Sequence, residues 1–292
     1  MAVSKKSANI ILLCIILIPS TRISTNAKST VISTTANTVT ITHIKSDNIY
    51  SNVSAVCIEG NGTRVYIDLF DIPQNYSDKP ADVIFITHPH LAHYNPPSIN
   101  LVAQNTTTFI GPSSCSEFIS KYDGIGVVPG DKGTVAGIQY EAFRAYNIGH
   151  PYEENWCGYI VTVNGIRIFH SGDTGNIPEF RDLEGNIDVL ILAVGDSYAT
   201  MNFEDAIDAI GVIQPKYLIP THYLAMSIHD FIKDCTETYP DIEICTDKLV
   251  LTADNDANTE KGGVPGHYAV FMIVSAFAVA TLIAYYRRNR LH

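Results

Sequence analysis

Along this chain, apolar positions come in short runs separated by polar, Gly- and Pro-containing breaks, a rhythm of strands interleaved with a few amphipathic helices. Val39 to Ile44, Ser54 to Ile58 and Arg64 to Phe70 read as strands, the last closed by the turn Asp71-Ile72-Pro73. The apolar run Val83 to Ile86 reads as a buried strand. After it, Pro96 to Gln104 predicts a short helix, Thr106 to Ile110 a strand and Cys115 to Tyr122 a second helix. The pattern then changes to strands in succession: Thr134 to Tyr146, Cys157 to Val163 and Ile166 to His170. Asn164-Gly165 between the last two is the signal of a type I′ hairpin. Ile187 to Val194 is apolar almost throughout, as a strand covered on both faces would be. Asn202 caps a helix with Phe203, Ala206, Ile207 and Ile210 on its apolar face. Tyr217 to Pro220 gives a last strand, and Ser227 to Tyr239 a helix with Ile228, Phe231, Ile232 and Cys235 inward.

The two ends follow a different pattern. Lys5 and Lys6 precede the apolar run Ile10 to Ile18 and a small-residue region with a cleavage point near Ala27, the layout of a secretory signal peptide over residues 1–27. Between Ser20 and Thr38, ten of nineteen residues are Ser or Thr, so the stretch 28–38 reads as a spacer with too little apolar surface to pack. Residues 251–267, rich in Asp, Asn and Gly, read as a linker. Residues 268–286 carry no charge, and nineteen helical residues span about 28 Å, enough for the hydrocarbon layer. Arg287, Arg288 and Arg290 in the tail 287–292 then orient the segment, with the C-terminus in the cytoplasm and the domain outside the cell. Sequons at Asn52, Asn61, Asn75 and Asn105 are compatible with that placement and with a glycoprotein.

Composition narrows the partners. At 292 residues and 46% hydrophobic, the chain can bury the core of one domain, 39–250. That domain holds 11 Lys and Arg against 27 Asp and Glu, a field that repels polyanions, so no nucleic-acid partner is expected. Five cysteines follow the signal segment. Cys235 and Cys245 either form a disulfide or stay as buried thiols.

The chemistry concentrates in Ile86-Thr87-His88-Pro89-His90-Leu91-Ala92-His93-Tyr94, which places three of ten histidines within six positions directly after a buried strand. His88 and His90 point the same way if strand geometry continues through them, and His93 returns around a turn. Neutral imidazole is the commonest metal ligand, and the cluster suits a metal. Further along, Gly172 and Gly175 bracket Asp173 on a tight turn after the strand ending at His170, and His222 follows a strand as His88 does. Asp68 either supports the histidines or simply ends its strand.

Together YIDLF (66–70), ITHPHLAHY (86–94), AYNIGHP (145–151), CGYIVTVNGIRIFHSGDTG (157–175) and IPTHY (219–223) resemble the metallo-β-lactamase superfamily. Within it they resemble the branch of ascorbate-6-phosphate-lactonase-like metal-dependent hydrolases. The resemblance implies an α/β fold, a four-layer αββα sandwich with metals at one edge between the sheets. It assigns His88, His90 and His150 to a first metal, His93 and His222 to a second, and Asp173 to a bridge between them. His170 and Asp68 are candidates, and no more than that, for supporting these ligands. One position departs from the family's HxHxDH loop: Ala92 stands where its Asp should be, leaving the second site a two-His, one-carboxylate set. One or two divalent ions are implied, zinc first, with manganese or iron also suited to nitrogen and oxygen donors. The expected activity is hydrolysis of a small-molecule ester, lactone or phosphoester by metal-held hydroxide, with Asp173 holding the water. The opposing expectation is a membrane-tethered metal- or ligand-binding protein that has lost turnover through Ala92. The sequence carries no mark of an oligomeric state.

Overall fold

The computed structural model describes residues 37–46, 52–195, 198–223 and 228–253. The expected signal segment, the membrane segment 268–286, the tail and nearly all of the spacer and linker lie outside these residues. No helix among the described residues is long and apolar enough to cross a membrane.

Alternation of buried and exposed positions produces two seven-stranded sheets. The first contains β1 (Thr38–His43), β2 (Val56–Gly60), β3 (Thr63–Ile67), β4 (Val83–Phe85), β5 (Thr108–Pro112), β6 (Ile125–Val127) and, from the far end of the domain, β14 (Lys248–Thr252). Its order is β14-β1-β2-β3-β4-β5-β6. The second contains β7 (Lys132–Val135), β8 (Ile138–Arg144), β9 (Cys157–Val163), β10 (Ile166–His170), β11 (Val189–Ala193), β12 (Tyr217–Thr221) and β13 (Glu243–Ile244), in the order β13-β12-β11-β10-β9-β8-β7. β1 pairs antiparallel to β2 and β14, and β3 to β6 run parallel. In the second sheet the β7–β10 stretch is antiparallel, whereas β10 to β13 are parallel.

Three apolar clusters separate four layers. The central one joins the inner faces of both sheets, for example Val39, Ile58, Val65 and Phe85 with Tyr159, Val161, Ile168 and Ile219. α1 (Pro96–Val102) and α2 (Ser116–Tyr122) cover the first sheet through Ile99, Val102 and Phe118. α3 (Phe203–Ile213) and α4 (Ile228–Thr238) cover the second through Ala206, Ile210, Phe231 and Cys235. Each fully buried Ile, Leu or Phe contributes roughly 1.5–3 kcal/mol, so these interfaces supply the main stabilising term. The expected αββα layering is therefore what the described residues form.

Local chemistry fixes the boundaries. Asn202 Oδ1 accepts from Asp205 N at 2.9 Å to cap α3, and Asn95 Oδ1 accepts from Ser98 N at 3.0 Å to cap α1. Asn164 and Gly165 have φ of 49° and 79°, as the turn signal required.

The segment 134–146 is not one strand. Ala136 and Gly137, at φ 46° and 79°, fold it into the hairpin β7–β8, because the pairing energy of four register partners outweighs an unfavourable alanine conformation. The spacer and linker boundaries also shift. Thr38 opens β1, and Leu251 and Thr252 belong to β14, pairing with Val39 and Thr38. All five cysteines after the signal segment are free thiols, so Cys235 and Cys245 form no disulfide.

Candidate metal centre

The strands deliver the candidate side chains from their C-terminal ends. β4 stops at Phe85, and the chain leaves it through Ile86 and Thr87 into a turn in which His93 N and Tyr94 N both donate to His90 O, at 2.9 and 2.8 Å. Strand geometry does not continue through the histidines, yet the turn brings their rings together. The His88 ring lies 4.7 Å from that of His90 and 3.9 Å from that of His93. His150 follows β8, Asp173 follows β10 and His222 follows β12. Gly172, at φ 60°, carries the Asp173 turn past Thr87. A Cβ there would sit 3.0 Å from Thr87 Cβ, so this glycine meets both a positive φ and a close approach.

All six expected ligand residues converge. Asp173 Oδ2 lies 3.2 Å from His93 Nε2, 3.4 Å from His222 Nε2, 3.8 Å from His150 Nε2 and 3.9 Å from His88 Nε2. Two sets of donor atoms lie within 4.8 Å of one another: His88, His90 and His150, and His88, His93 and Asp173. His222 stands outside both sets and meets the cluster through Asp173.

The hydrogen bonds fix which nitrogen of each ring is free. Asp68 accepts from Thr87 N and Thr87 Oγ1, both at 2.8 Å. The Thr87 hydroxyl has then given its only proton, so it accepts from His88 Nδ1 at 2.9 Å. His88 Nε2 is thereby a bare lone pair. Asn147 Nδ2 donates to Ala199 O at 2.6 Å, which turns Oδ1 toward Gly149 N at 2.7 Å and His150 Nδ1 at 2.8 Å. His150 Nε2 is therefore bare as well. These two acceptor nitrogens face each other at 3.3 Å with no proton to share. A cation resolves that conflict, and 3.3 Å is about the edge of a tetrahedron with arms of about 2.0–2.1 Å, the zinc–imidazole distance.

His93 lies between two carboxylates. Nδ1 donates to Asp68 Oδ2 at 2.7 Å, while Nε2 lies 3.2 Å from Asp173 Oδ2. Asp173 Oδ1 is also buried without a partner. The residues present thus fit a metal ion, with donors aimed into a common space and their outer nitrogens anchored.

Electrostatics agree for His88, His90 and His150, whereas His93 is held as a proton carrier between two carboxylates in the metal-free protein. Burial pushes His88 well below the ordinary imidazole value, and its histidine neighbours push it further. Burial likewise lowers His90, and takes His150 down to about 4. For His93, burial is outweighed by the carboxylates of Asp173 and Asp68, which raise it to about 10. Asp173 is buried too, which favours its neutral form, yet His93, His222 and His88 hold it below the usual carboxylate range.

Asp68 and His222 have φ of 51° and 58°, conformations that cost non-glycine residues roughly 1–3 kcal/mol and cluster at functional sites. Asp68 is thus a support for His93 rather than only a strand end. His170 does not face the cluster. Its Nδ1 accepts from Gly172 N at 3.2 Å and its Nε2 donates to Ser54 O at 2.8 Å, so it braces the turn that carries Asp173.

Three contributors had no sequence signal of their own. Thr87 and Asn147 set the imidazole tautomers. Trp156 packs its indole 5.1–5.2 Å from the rings of His88, His90 and His150. The only readable hint was that Thr87 and Asn147 lie within the histidine motifs. Trp156 is the single tryptophan of the chain.

A sequence profile described as the beta-lactamase superfamily domain matches residues 49–222, a span that contains every one of the converging side chains and ends on His222. The chain belongs to the beta-lactamase superfamily. Relatives similar to it include the UPF0173 metal-dependent hydrolase of Staphylococcus epidermidis, 31% identical over 192 residues, or 58% of this chain and 82% of the relative. A UPF0173 protein of Pyrococcus abyssi is 29% identical over 169 residues, 57% of this chain and 78% of the relative. Among solved structures, one from Parabacteroides distasonis, described as a metal-dependent hydrolase, is 29% identical with a TM-score of 0.61, covering 72% of this chain and 92% of its own. The metallo hydrolase Igni18 of Ignicoccus hospitalis shares the fold at 20% identity and a TM-score of 0.60, over 73% and 98% of the two chains. The two-sheet architecture is thus that of the metallo-β-lactamase type.

Proposed function

We propose that this superfamily member is a metal-dependent hydrolase acting on a small-molecule ester, lactone or phosphoester, with His88, His90, His150 and Asp173 as the principal metal ligands. The observation that carries the reading is the pair of deprotonated Nε2 atoms of His88 and His150, 3.3 Å apart beside the Asp173 carboxylate. Relatives described as metal-dependent hydrolases support it.

Bound there, a divalent ion such as zinc, manganese or iron supplies Lewis acidity, lowering the pKa of water toward neutrality and polarising the scissile group. The chain's own part is to position and to manage charge. Asp173 Oδ1, buried and without a hydrogen bond, is the acceptor that orients the attacking water. Thr87 keeps His88 in one tautomer and Asn147 does the same for His150, while Asp68 holds the His93 ring in place through Nδ1. His93 and His222, on the other side of Asp173, face the leaving group. Water adds across the scissile bond, its oxygen going to the acyl or phosphoryl centre and its proton to the departing oxygen. His93, His222 and Asp173 form a weaker second set, because Ala92 contributes no carboxylate.

Metal content and hydrolysis, measured together, test this. Wild-type protein stripped by chelation should lose turnover and regain it on adding zinc or manganese. His88→Ala should lose bound metal and activity together, and retention of both would overturn the reading.

The same proposal places the domain outside the membrane, held by residues 268–286 with the Arg-rich tail in the cytoplasm. The sequence pattern supports it, as does the exposure of Asn61, Asn75 and Asn105. Asn52 is buried and is expected to stay unmodified. Protease added to intact cells should reach the domain and spare a C-terminal tag. The reverse result would refute this orientation.

A further inference from the structure

Among the described residues, six large apolar side chains are notably exposed; three of them sit on loops that carry candidate ligands, and a fourth sits on a loop packed against one of these. Leu91, 65% exposed, lies between His90 and His93. Ile148 at 81% and Tyr152 at 49% flank His150. Tyr198, at 63%, comes from a third loop, whose carbonyl accepts from Gly149 N at 3.2 Å and whose ring lies 3.0 Å from a Cβ built on Gly149. Exposed apolar side chains thus stand on two ligand-bearing loops and on the loop that packs against the second of them. Exposed apolar surface of this kind marks binding sites more often than bare surface.

Among the described residues, the ion pairs of the candidate ligands are all His–Asp pairs, with no Lys or Arg in them, so apart from a bound metal ion no side-chain cation is paired there. Phosphate groups are ordinarily held by Arg or Lys, through paired charge-assisted hydrogen bonds or as point charges. Arg144, the cation on the strand leading into the His150 loop, is already engaged. Its guanidinium stacks 4.0 Å over the Tyr152 ring and donates to Tyr152 O at 3.3 Å and Asn155 Oδ1 at 3.2 Å. Residues 47–51, 196–197 and 224–227, outside the described set, contain no Lys or Arg. The acidic excess of the domain adds a long-range bias against anions.

We infer that the site takes an uncharged acyl compound, an ester or lactone bearing an aliphatic group that rests on Leu91, Ile148 and Tyr198, in preference to a phosphoester. The inference rests on the hydrolytic reading and narrows it. Water adds to the carbonyl carbon, the acyl C–O bond breaks, the departing oxygen takes a proton, and an acid and an alcohol result.

The test uses the full-length, metal-replete protein with p-nitrophenyl acetate, butyrate and hexanoate beside bis-p-nitrophenyl phosphate. Complete burial of a methylene corresponds to about fourfold in an equilibrium constant, so a collar covering one side predicts about twofold to threefold in kcat/KM per added methylene. Every ester should exceed the phosphodiester, and Leu91→Ser with Ile148→Ser should flatten the series. As a readout without turnover, aliphatic hydroxamates should change Trp156 emission with an affinity that rises with chain length. A flat series in the wild type, or faster phosphodiester cleavage, overturns this inference and leaves the hydrolase reading intact. A dependence untouched by the serine variants, where these variants instead weaken vesicle binding or self-association, assigns the collar to a bilayer or a second copy and overturns it too. Metal binding without turnover of any substrate and without hydroxamate binding overturns both readings.

Discussion

At the residue scale, function rests on which nitrogens carry protons. Three of the expected ligands, His88, His90 and His150, are held neutral chiefly by burial, as are His170 and His43. In the unfolded chain each would take a proton near pH 6.5. Their contribution to the stability of the metal-free protein is therefore complete above about 6.5 and is lost as pH falls through the folded values, about 4 for His150. His93 acts oppositely: its contribution is complete below about 6.5 and fades as pH rises through about 10. Urea denaturation of stripped protein should show stability falling below pH 6.5, at about 1.4 kcal/mol per pH unit for each fully buried neutral histidine. Flat stability from pH 7 to 4.5 would contradict the burial argument. The residues that set these states were only partly legible. Histidines announce metal binding by spacing, whereas Thr87, Asn147 and Trp156 act through contacts made by folding.

At the scale of elements, the loop after β4 carries both the clearest motif and its one departure. Ala92 is partly buried, packed at the edge of the cluster that includes Tyr94 and Phe118, and offers no donor to the side of Asp173 where His93 and His222 stand. Ala92→Asp should tighten a second equivalent of metal by about tenfold or more in a calorimetric titration, leaving the first equivalent nearly unchanged. A second binding event no tighter than in the wild type would show that this carboxylate position does not reach the ions.

Long strands with a strong turn signal were readable, as Asn164-Gly165 shows. The β7–β8 turn was not, because Ala136 gives no hint of a left-handed backbone, and the short, polar-edged β6, β13 and β14 lack a period long enough to see. Ala136→Gly removes that strain. Since the left-handed form costs an alanine roughly 1–2 kcal/mol and glycine loses about 0.5–1 through entropy, thermal denaturation should show a gain of about 0.5–1 kcal/mol. A loss would mean that the alanine methyl makes contacts worth more than its strain.

At the scale of the whole molecule, the two sheets act as a frame whose parallel strands end on one edge. Asp68 and His88 come from the first sheet, Asp173 and His222 from the second, and Cys157 N donating to Thr87 O at 3.2 Å ties the two halves beside the site. This layout was legible because the motifs follow strands in family order. The apolar residues of these loops were not, since Tyr198 is far in sequence from Ile148 and comes beside it only because the fold packs its ring on Gly149.

The central claim is that these side chains close on one ion beside the lone tryptophan. Titrating the metal-stripped full-length protein with cobalt while following Trp156 emission tests it most directly. Saturable quenching at one equivalent, absent in His88→Ala, is the expected result. Emission indifferent to cobalt, or quenched equally in the variant, would contradict the account.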